Sequence, residues 1–223
     1  MRVETDLKLD FDDVLIRPKR STLTSRKDVD LHRSYNFLHG GSYFEGIPVM
    51  AANMDGVGEL EVGETLSSLD LFTCYKKNID EGSLIEALKL YTVNKQRDNV
   101  AVTIGRNDND FDKLGRISKH VIVKNICVDV ANGYSQAFVD FVSKVRDNYP
   151  NSNIFAGNVV TGEMVEELLL AGADVVKVGI GSGSVCTTRI KTGVGYPQFS
   201  CIAECADAAH GLNGHIIADG GCT

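Results

Sequence analysis

The strongest constraint in this chain is a rhythm of apolar runs. Seven of them recur from Gly46 onward at roughly 25 to 30 residue intervals, and helical periodicity fills the stretches between. The runs are 46–54, 71–75, 99–104, 126–130, 153–160, 175–180 and 215–221. They are rich in apolar and β-branched residues on both faces, the pattern of parallel strands covered on each side by helices. Between them, Leu84, Ile85, Leu88 and Tyr91 share a helical face after an N-cap at Asp80. Phe138, Phe141, Val142, Val145 and Tyr149 do the same up to Pro150, and Met164, Val165, Leu168 and Leu169 follow Thr161. Further helices are expected near 61–68, 111–118 and 197–210. The reading is an α/β fold, a TIM (β/α)8 barrel, with residues 1–223 in one barrel domain and an N-terminal extension ahead of about seven strands.

A barrel of this kind takes about 250 residues, and the seventh run ends at Gly221. The expectation is a fragment of a longer product, or a chain completed by another, because an unclosed barrel leaves two parallel edges exposed. Residues 1–45 read as a polar lead-in. There the alternation of Leu7, Leu9 and Phe11, then Val14–Ile16, predicts short strands. Arg17, Lys19, Arg20, Arg26 and Lys27 read as a solvated face.

Charge and cysteine usage narrow the partners. A net charge of -7 argues against a broad nucleic-acid surface. No apolar run is long enough to span a bilayer, and the first residues carry no signal-peptide pattern. The default is a cytoplasmic protein with neither nucleic acid nor membrane as partner. The six cysteines contain no C-x-x-C pair, so neither a zinc knuckle nor a dithiol redox motif is indicated. Cys201 and Cys205 read as small core residues, and Cys74 and Cys127 as buried in strands. Cys186 and Cys222 fall at strand-to-loop transitions.

In such a barrel the chemistry lies at the carboxyl ends of the strands. Asn53–Asp55, Lys76-Lys77, Asp129–Gly133, Gly157-Asn158, the Cys186 segment and Asp219–Gly221 would converge there. The densest of these is the glycine-rich loop Gly179–Arg189, where Cys186 stands beside Thr187, Thr188 and Arg189. Glycines let backbone amides approach a ligand or ion, and a thiolate stabilised by nearby dipoles or cations attacks electrophilic carbon. Each residue also has a plainer reading. Asp219 could cap a following helix, Asp129 could be a buried acid paired with a lysine, and Lys77 could be a solvated charge. Asn53 and Asn158 could be turn residues.

Several longer motifs occur in order: Asp10–Ser21, Ala51–Asp55, Asp129–Ser135, Ala156–Met164, Cys186–Arg189 and Thr192–Gln198. In these the chain resembles the GMP reductase family, within the superfamily shared with IMP dehydrogenase. Cys186-Thr-Thr-Arg189, Gly195-Tyr-Pro-Gln198 and the short helix after Lys77 favour the reductase side. Ser182 stands where reductases usually carry proline, and Lys76-Lys77-Asn78 replaces a lysine flanked by histidines.

The resemblance implies NADPH-dependent conversion of GMP to IMP and ammonia, and a family tetramer. It makes Cys186 the nucleophile that forms a covalent thioimidate at purine C2, with Thr188 relaying the proton to the departing amine. It places Asp219, Gly220 and Gly221 against the nucleotide's ribose and phosphate. Asp129, Val130 and Ala131 face the nicotinamide, Ile180 and Gly181 also bind the cofactor, and Ser25, Arg26 and Lys77 reach the rest of NADPH. Carbonyls of Gly181, Gly183 and Cys186, near Arg189, resemble a monovalent-cation site for which potassium is the natural candidate. The family's second phosphate-binding glycine pair, its guanine-contacting flap and the flap glutamate have no counterpart in these 223 residues. Rival readings are a dehydrogenase relative, or a truncated, non-catalytic protein that binds nucleotide or co-assembles with a full-length partner.

Overall fold

The computed structural model describes residues 3, 5–94, 99–183 and 186–222. Ser184 and Val185 of the glycine-rich segment therefore lie outside the described residues. Two antiparallel strands, β1 (Arg33–Asn36) and β2 (Tyr43–Gly46), form a hairpin. A parallel sheet follows, with β3 (Met50–Ala51), β4 (Phe72–Tyr75), β5 (Val100–Ile104), β6 (Asn125–Asp129), β7 (Asn153–Val159), β8 (Val175–Val178) and β9 (His215–Ala218) paired in that order. The connecting helices are α1 (Leu60–Ser68), α2 (Glu81–Asn94), α3 (Asp108–Ser118), α4 (Gln136–Asn148), α5 (Gly162–Leu170) and, between β8 and β9, α6 (Thr187–Thr192) and α7 (Gln198–Gly211). Spatial order equal to chain order is what successive βα crossovers of one hand produce.

The sheet curls. The rings of Phe72 on β4 and Phe155 on β7 lie 5.4 Å apart although two strands separate them. A flat sheet, with strands about 4.8 Å apart, would hold them far beyond contact. Alternate residues thus face inward, where Phe72, Cys74, Ala101, Cys127, Phe155 and Val175 form one cluster. The opposite face packs beneath the helices, with Val102, Ile126, Ile154 and Val176 against Leu114, Phe138, Val142, Val165 and Leu168. These are seven successive strands of a (β/α) barrel, as the apolar runs predict.

The hairpin stoppers the amino ends of the strands. Phe44 joins the inner cluster with Tyr35 and Phe37 packed against it. The His39 N–H donates to Asp174 Oδ1 at 2.6 Å, and Ser42 Oγ donates to Asn153 Oδ1 at 2.8 Å.

Three local expectations are corrected. The Leu7–Ile16 stretch forms no strand. A single 3₁₀ turn, Phe11–Asp13, is closed by a reciprocal Asp10–Asp13 capping box, and Leu15 and Ile16 stay exposed. This arm is held by α7 instead, through Leu9 N–H to Ser200 Oγ (2.8 Å) and Gln198 N–H to Asp10 Oδ1 (3.1 Å). The first apolar run shrinks to Met50–Ala51 because Gly46 already ends β2, paired with Arg33. The segment after Cys186 is helical rather than loop: Cys186 is the N-cap of α6, and Gly193, at φ 70°, closes it.

Candidate active site

The carboxyl ends of β6, β7 and β8 are in register, Asp129 opposite Gly157 opposite Lys177. The two-residue period of the strands turns both charged side chains inward. Gly157 leaves the space between them: a Cβ there would lie 2.6 Å from Lys177 Cβ. Lys177 is 5% exposed. Its ammonium donates to Asp129 Oδ1 and to Asn53 Oδ1 at 3.2 Å, and stands 3.3 Å from Asp219 Oδ2. Burial opposes its charge, but interactions with Cys127, Asp129 and Asp219 and the hydrogen bond to Asp129 outweigh it, so its pKa lies above the ordinary lysine value. Asn158 Nδ2 bridges Asp219 Oδ2 (2.8 Å) and the Gly179 carbonyl (2.9 Å). Asn53, in the bend after β3, and Asn158, in β7, both belong to this network. Asp129 is paired with a lysine, as its plainer reading has it, but its carboxylate is a third exposed rather than buried.

Beside Asp129 opens a cleft of about 440 Å³ lined by Asn53, Met54, Asp55, Lys76, Lys77, Asn78 and Thr103. Lys76 Nζ lies 2.6 Å from Glu59 and 3.3 Å from Asp55, and Lys77 lies 3.6 Å from Asp110. Hydrogen bonds from Lys76 to Glu59 and Asp55 raise its pKa. The cleft thus has cationic ammoniums on one wall and the Asp129 carboxylate on another.

Asp219, the second carboxylate beside Lys177, leads to the Cys186 segment. Gly181 is at φ 74°, where a Cβ would lie 2.8 Å from the Val194 carbonyl, so glycine lets the chain double back. The Cys186 N–H donates to the Gly183 carbonyl at 2.9 Å, and Tyr196 N–H to the Ile180 carbonyl at 3.1 Å. Ser182 Oγ donates to the Asp219 carbonyl at 3.3 Å, which ties this segment to the Asp219–Gly221 turn. The Cys186 thiol is held below the usual thiol range. The Thr188 hydroxyl is the first cause, followed by the N–H groups of Thr188 and Arg189, with Gly181 N–H contributing least. Donors around a half-buried thiol favour its thiolate, the form in which cysteine acts as a nucleophile.

The sequence-derived residues fall into three sets. Asp129 and Lys77 share the cleft, while Val130 and Ala131 continue past Asp129, Val130 half-buried and Ala131 exposed. Cys186, Thr188, Gly181, Gly183, Ile180 and Arg189 share the α6 segment, which adjoins Asp219, Gly220 and Gly221. Ser25 and Arg26 are not brought in. They sit in an exposed 3₁₀ turn whose described bonds, Ser25 Oγ from Lys27 N–H and Ser25 N–H to Asp28, stay within the arm. The Gly181, Gly183 and Cys186 carbonyls come from one short segment, a hard-oxygen donor set of the type a monovalent cation accepts. Among the described residues, no group of three His, Cys, Asp or Glu side chains could hold a metal ion.

Lys177 was not among the residues sequence reasoning singled out. The signal was present: one cation inside Val175-Val176-Lys177-Val178, a run otherwise apolar on both faces. A charge is tolerated there only when paired.

Seven parallel strands of a curled (β/α) half-barrel gather a donor-lined thiol and a carboxylate pair at their carboxyl ends, the end where barrels of this class carry their sites. The IMP dehydrogenase / GMP reductase domain matches residues 8–223, and the chain belongs to that family. It is 56% identical over 230 residues to the GMP reductase of Enterobacter sp. (strain 638) and 56% identical over 227 residues to that of Citrobacter koseri. It is 55% identical over 227 residues to the GMP reductase of Escherichia coli O157:H7. Each match covers 100% of this chain and 64% of the relative, so the chain spans about two thirds of the length of the curated relatives it matches. Among the described residues, no helix is long and apolar enough to cross a membrane.

Proposed function

We propose that the protein carrying this chain is a GMP reductase, converting GMP, NADPH and a proton to IMP, ammonia and NADP⁺. The observation that carries this reading is the Cys186 thiol, drawn toward its anion by Thr188 and three backbone N–H groups and tied through Ser182 to the Asp219 turn. Cys186 thiolate adds to purine C2, forming a thioimidate and breaking the bond to the exocyclic amine. Thr188, whose hydroxyl touches the sulfur, relays the proton that the amine needs in order to leave as ammonia. Reduced nicotinamide, when bound, supplies hydride to the same carbon. Cys186 then departs as thiolate, stabilised again by the donors that activated it.

Asp219 accepts the ribose hydroxyls, and Gly220 and Gly221 let backbone amides approach the nucleotide. Asp129 orients the carboxamide of the cofactor beside Val130 and Ala131, with Ile180 and Gly181 on the facing segment. Lys77 meets NADPH phosphate, and Ser25 and Arg26 would extend that contact where the arm that holds them is brought to the cleft. Potassium held by Gly181, Gly183 and Cys186 carbonyls, beside Arg189, would set the shape of the loop. We place the enzyme in the cytoplasm as a homotetramer, in purine nucleotide interconversion.

The full-length gene product should oxidise NADPH only when GMP is added. Cys186→Ala should lower turnover by at least about 10³-fold while GMP still binds. Retained turnover in that variant would remove the covalent route, and NAD-dependent oxidation of IMP by the wild type would select a dehydrogenase.

A further inference from the structure

Lys177 takes no part in the reaction just described, yet it is the most deeply buried charge at these strand ends. Its side chain is 6% exposed, whereas those of Asp129 and Asp219 are 32% and 30% exposed. The carboxylates therefore face outward and the ammonium lies beneath them. An ammonium has three donors, and three acceptors surround this one: Asn53 on the segment after β3, Asp129 at the end of β6 and Asp219 after β9. Asp129 lines the cleft with Lys76 and Lys77. Asp219 belongs to the other side, where its carbonyl accepts from Ser182.

One positive charge shared between two carboxylates cannot satisfy both in full. Because the ammonium itself is buried, whatever draws one carboxylate away shifts the lysine toward the other. We propose that Lys177 is a positioning residue that joins the cofactor-side and nucleotide-side carboxylates into one electrostatic unit, so that a change at Asp129 is felt at Asp219. The proposal rests on the assignment of those two sides made above. Lys177 touches neither ligand; it sets how strongly each carboxylate is available to its own.

The test is a double-mutant cycle read by binding rather than by rate. GMP is titrated into the full-length wild type, Asp129→Asn, Lys177→Met and the double variant, each first checked for cooperative unfolding. Neutralising Asp129 releases Lys177 to pair wholly with Asp219 and weakens its acceptance of ribose hydroxyls. Asp129→Asn should therefore weaken GMP binding about tenfold in the wild-type background and less than about twofold where Lys177 is Met. A merely structural lysine would leave the effect of Asp129→Asn the same in both backgrounds, and that result overturns the proposal. If Lys177→Met does not fold, Lys177→Gln, which keeps donors without the charge, replaces it in the same cycle.

The underlying functional reading fails separately. A wild type that binds GMP and NADPH without turnover removes the reaction and leaves the cycle to decide the coupling. A wild type that turns over while Asp129→Asn leaves GMP binding unchanged removes the coupling alone. A wild type that binds neither ligand overturns both.

Discussion

Strand β8 begins and ends on charged networks of opposite construction. At its amino end, the carboxylate of Asp174 is fully buried and receives the N–H groups of His39, Gly40 and Ile154 together with the Arg146 guanidinium. Arg146 spends its other donors on the carbonyls of Gly172, Tyr149, Pro150 and Ser152. About four acceptor positions on a carboxylate are thereby met by four donors, and nothing is left to offer a ligand. At the carboxyl end, Lys177 is nearly as buried as Asp174, but its two carboxylates keep about a third of their surface. The first network is saturated and binds the hairpin to β7 and β8. The second is held from below and open above. Saturated polar clusters specify a fold; partly open ones are where binding and chemistry can occur.

The comparison breaks if the two ends respond alike to mutation. Asp174→Ala should have the largest effect on stability, about 3–5 kcal/mol, because it leaves Arg146 buried and unpaired. Urea unfolding followed by circular dichroism measures it, and a loss below about 1 kcal/mol would place Asp174 among ordinary surface pairs. Lys177→Met should cost less, about 1–2 kcal/mol, since water can reach both carboxylates it leaves behind. An equal loss at the two positions would erase the distinction between a stitched end and an open one.

The smallest effect concerns reactivity rather than stability. The folded-state pKa of Cys186 is depressed, so its thiolate persists as pH falls below the ordinary thiol midpoint near about 8.5. The rate of iodoacetamide alkylation at Cys186 should therefore titrate below that value. Thr188→Ala removes the largest cause of the depression and should move the midpoint upward, with the unfolding transition nearly unchanged. A midpoint indifferent to Thr188 would assign the activation to the backbone N–H groups alone.

Much of this was legible in the chain. The apolar runs predict the seven parallel strands, with ends displaced by a few residues. The clustering of Cys186, Thr188, Asp129, Lys77 and Asp219 at their carboxyl ends follows from that topology. The hairpin was not legible. Arg33–Asn36 is polar and mostly exposed, and it is a strand because Tyr43–Gly46 pairs with it and Tyr35 finds the inner cluster. Helix α6 was hidden for a related reason: Thr187–Thr192 is short and without a buried face, so no periodicity announces it.

What the sequence determined by itself was the architecture and the family, because strand period, helix period and motif order are local properties that survive without knowing what touches what. What only the tertiary structure decided was the partnership of Lys177. A lysine in an apolar run must find countercharge, but the sequence does not say where. Curling of the sheet chose Asp129 and Asp219, each from a different strand end, and left their outer surfaces open while closing that of Asp174.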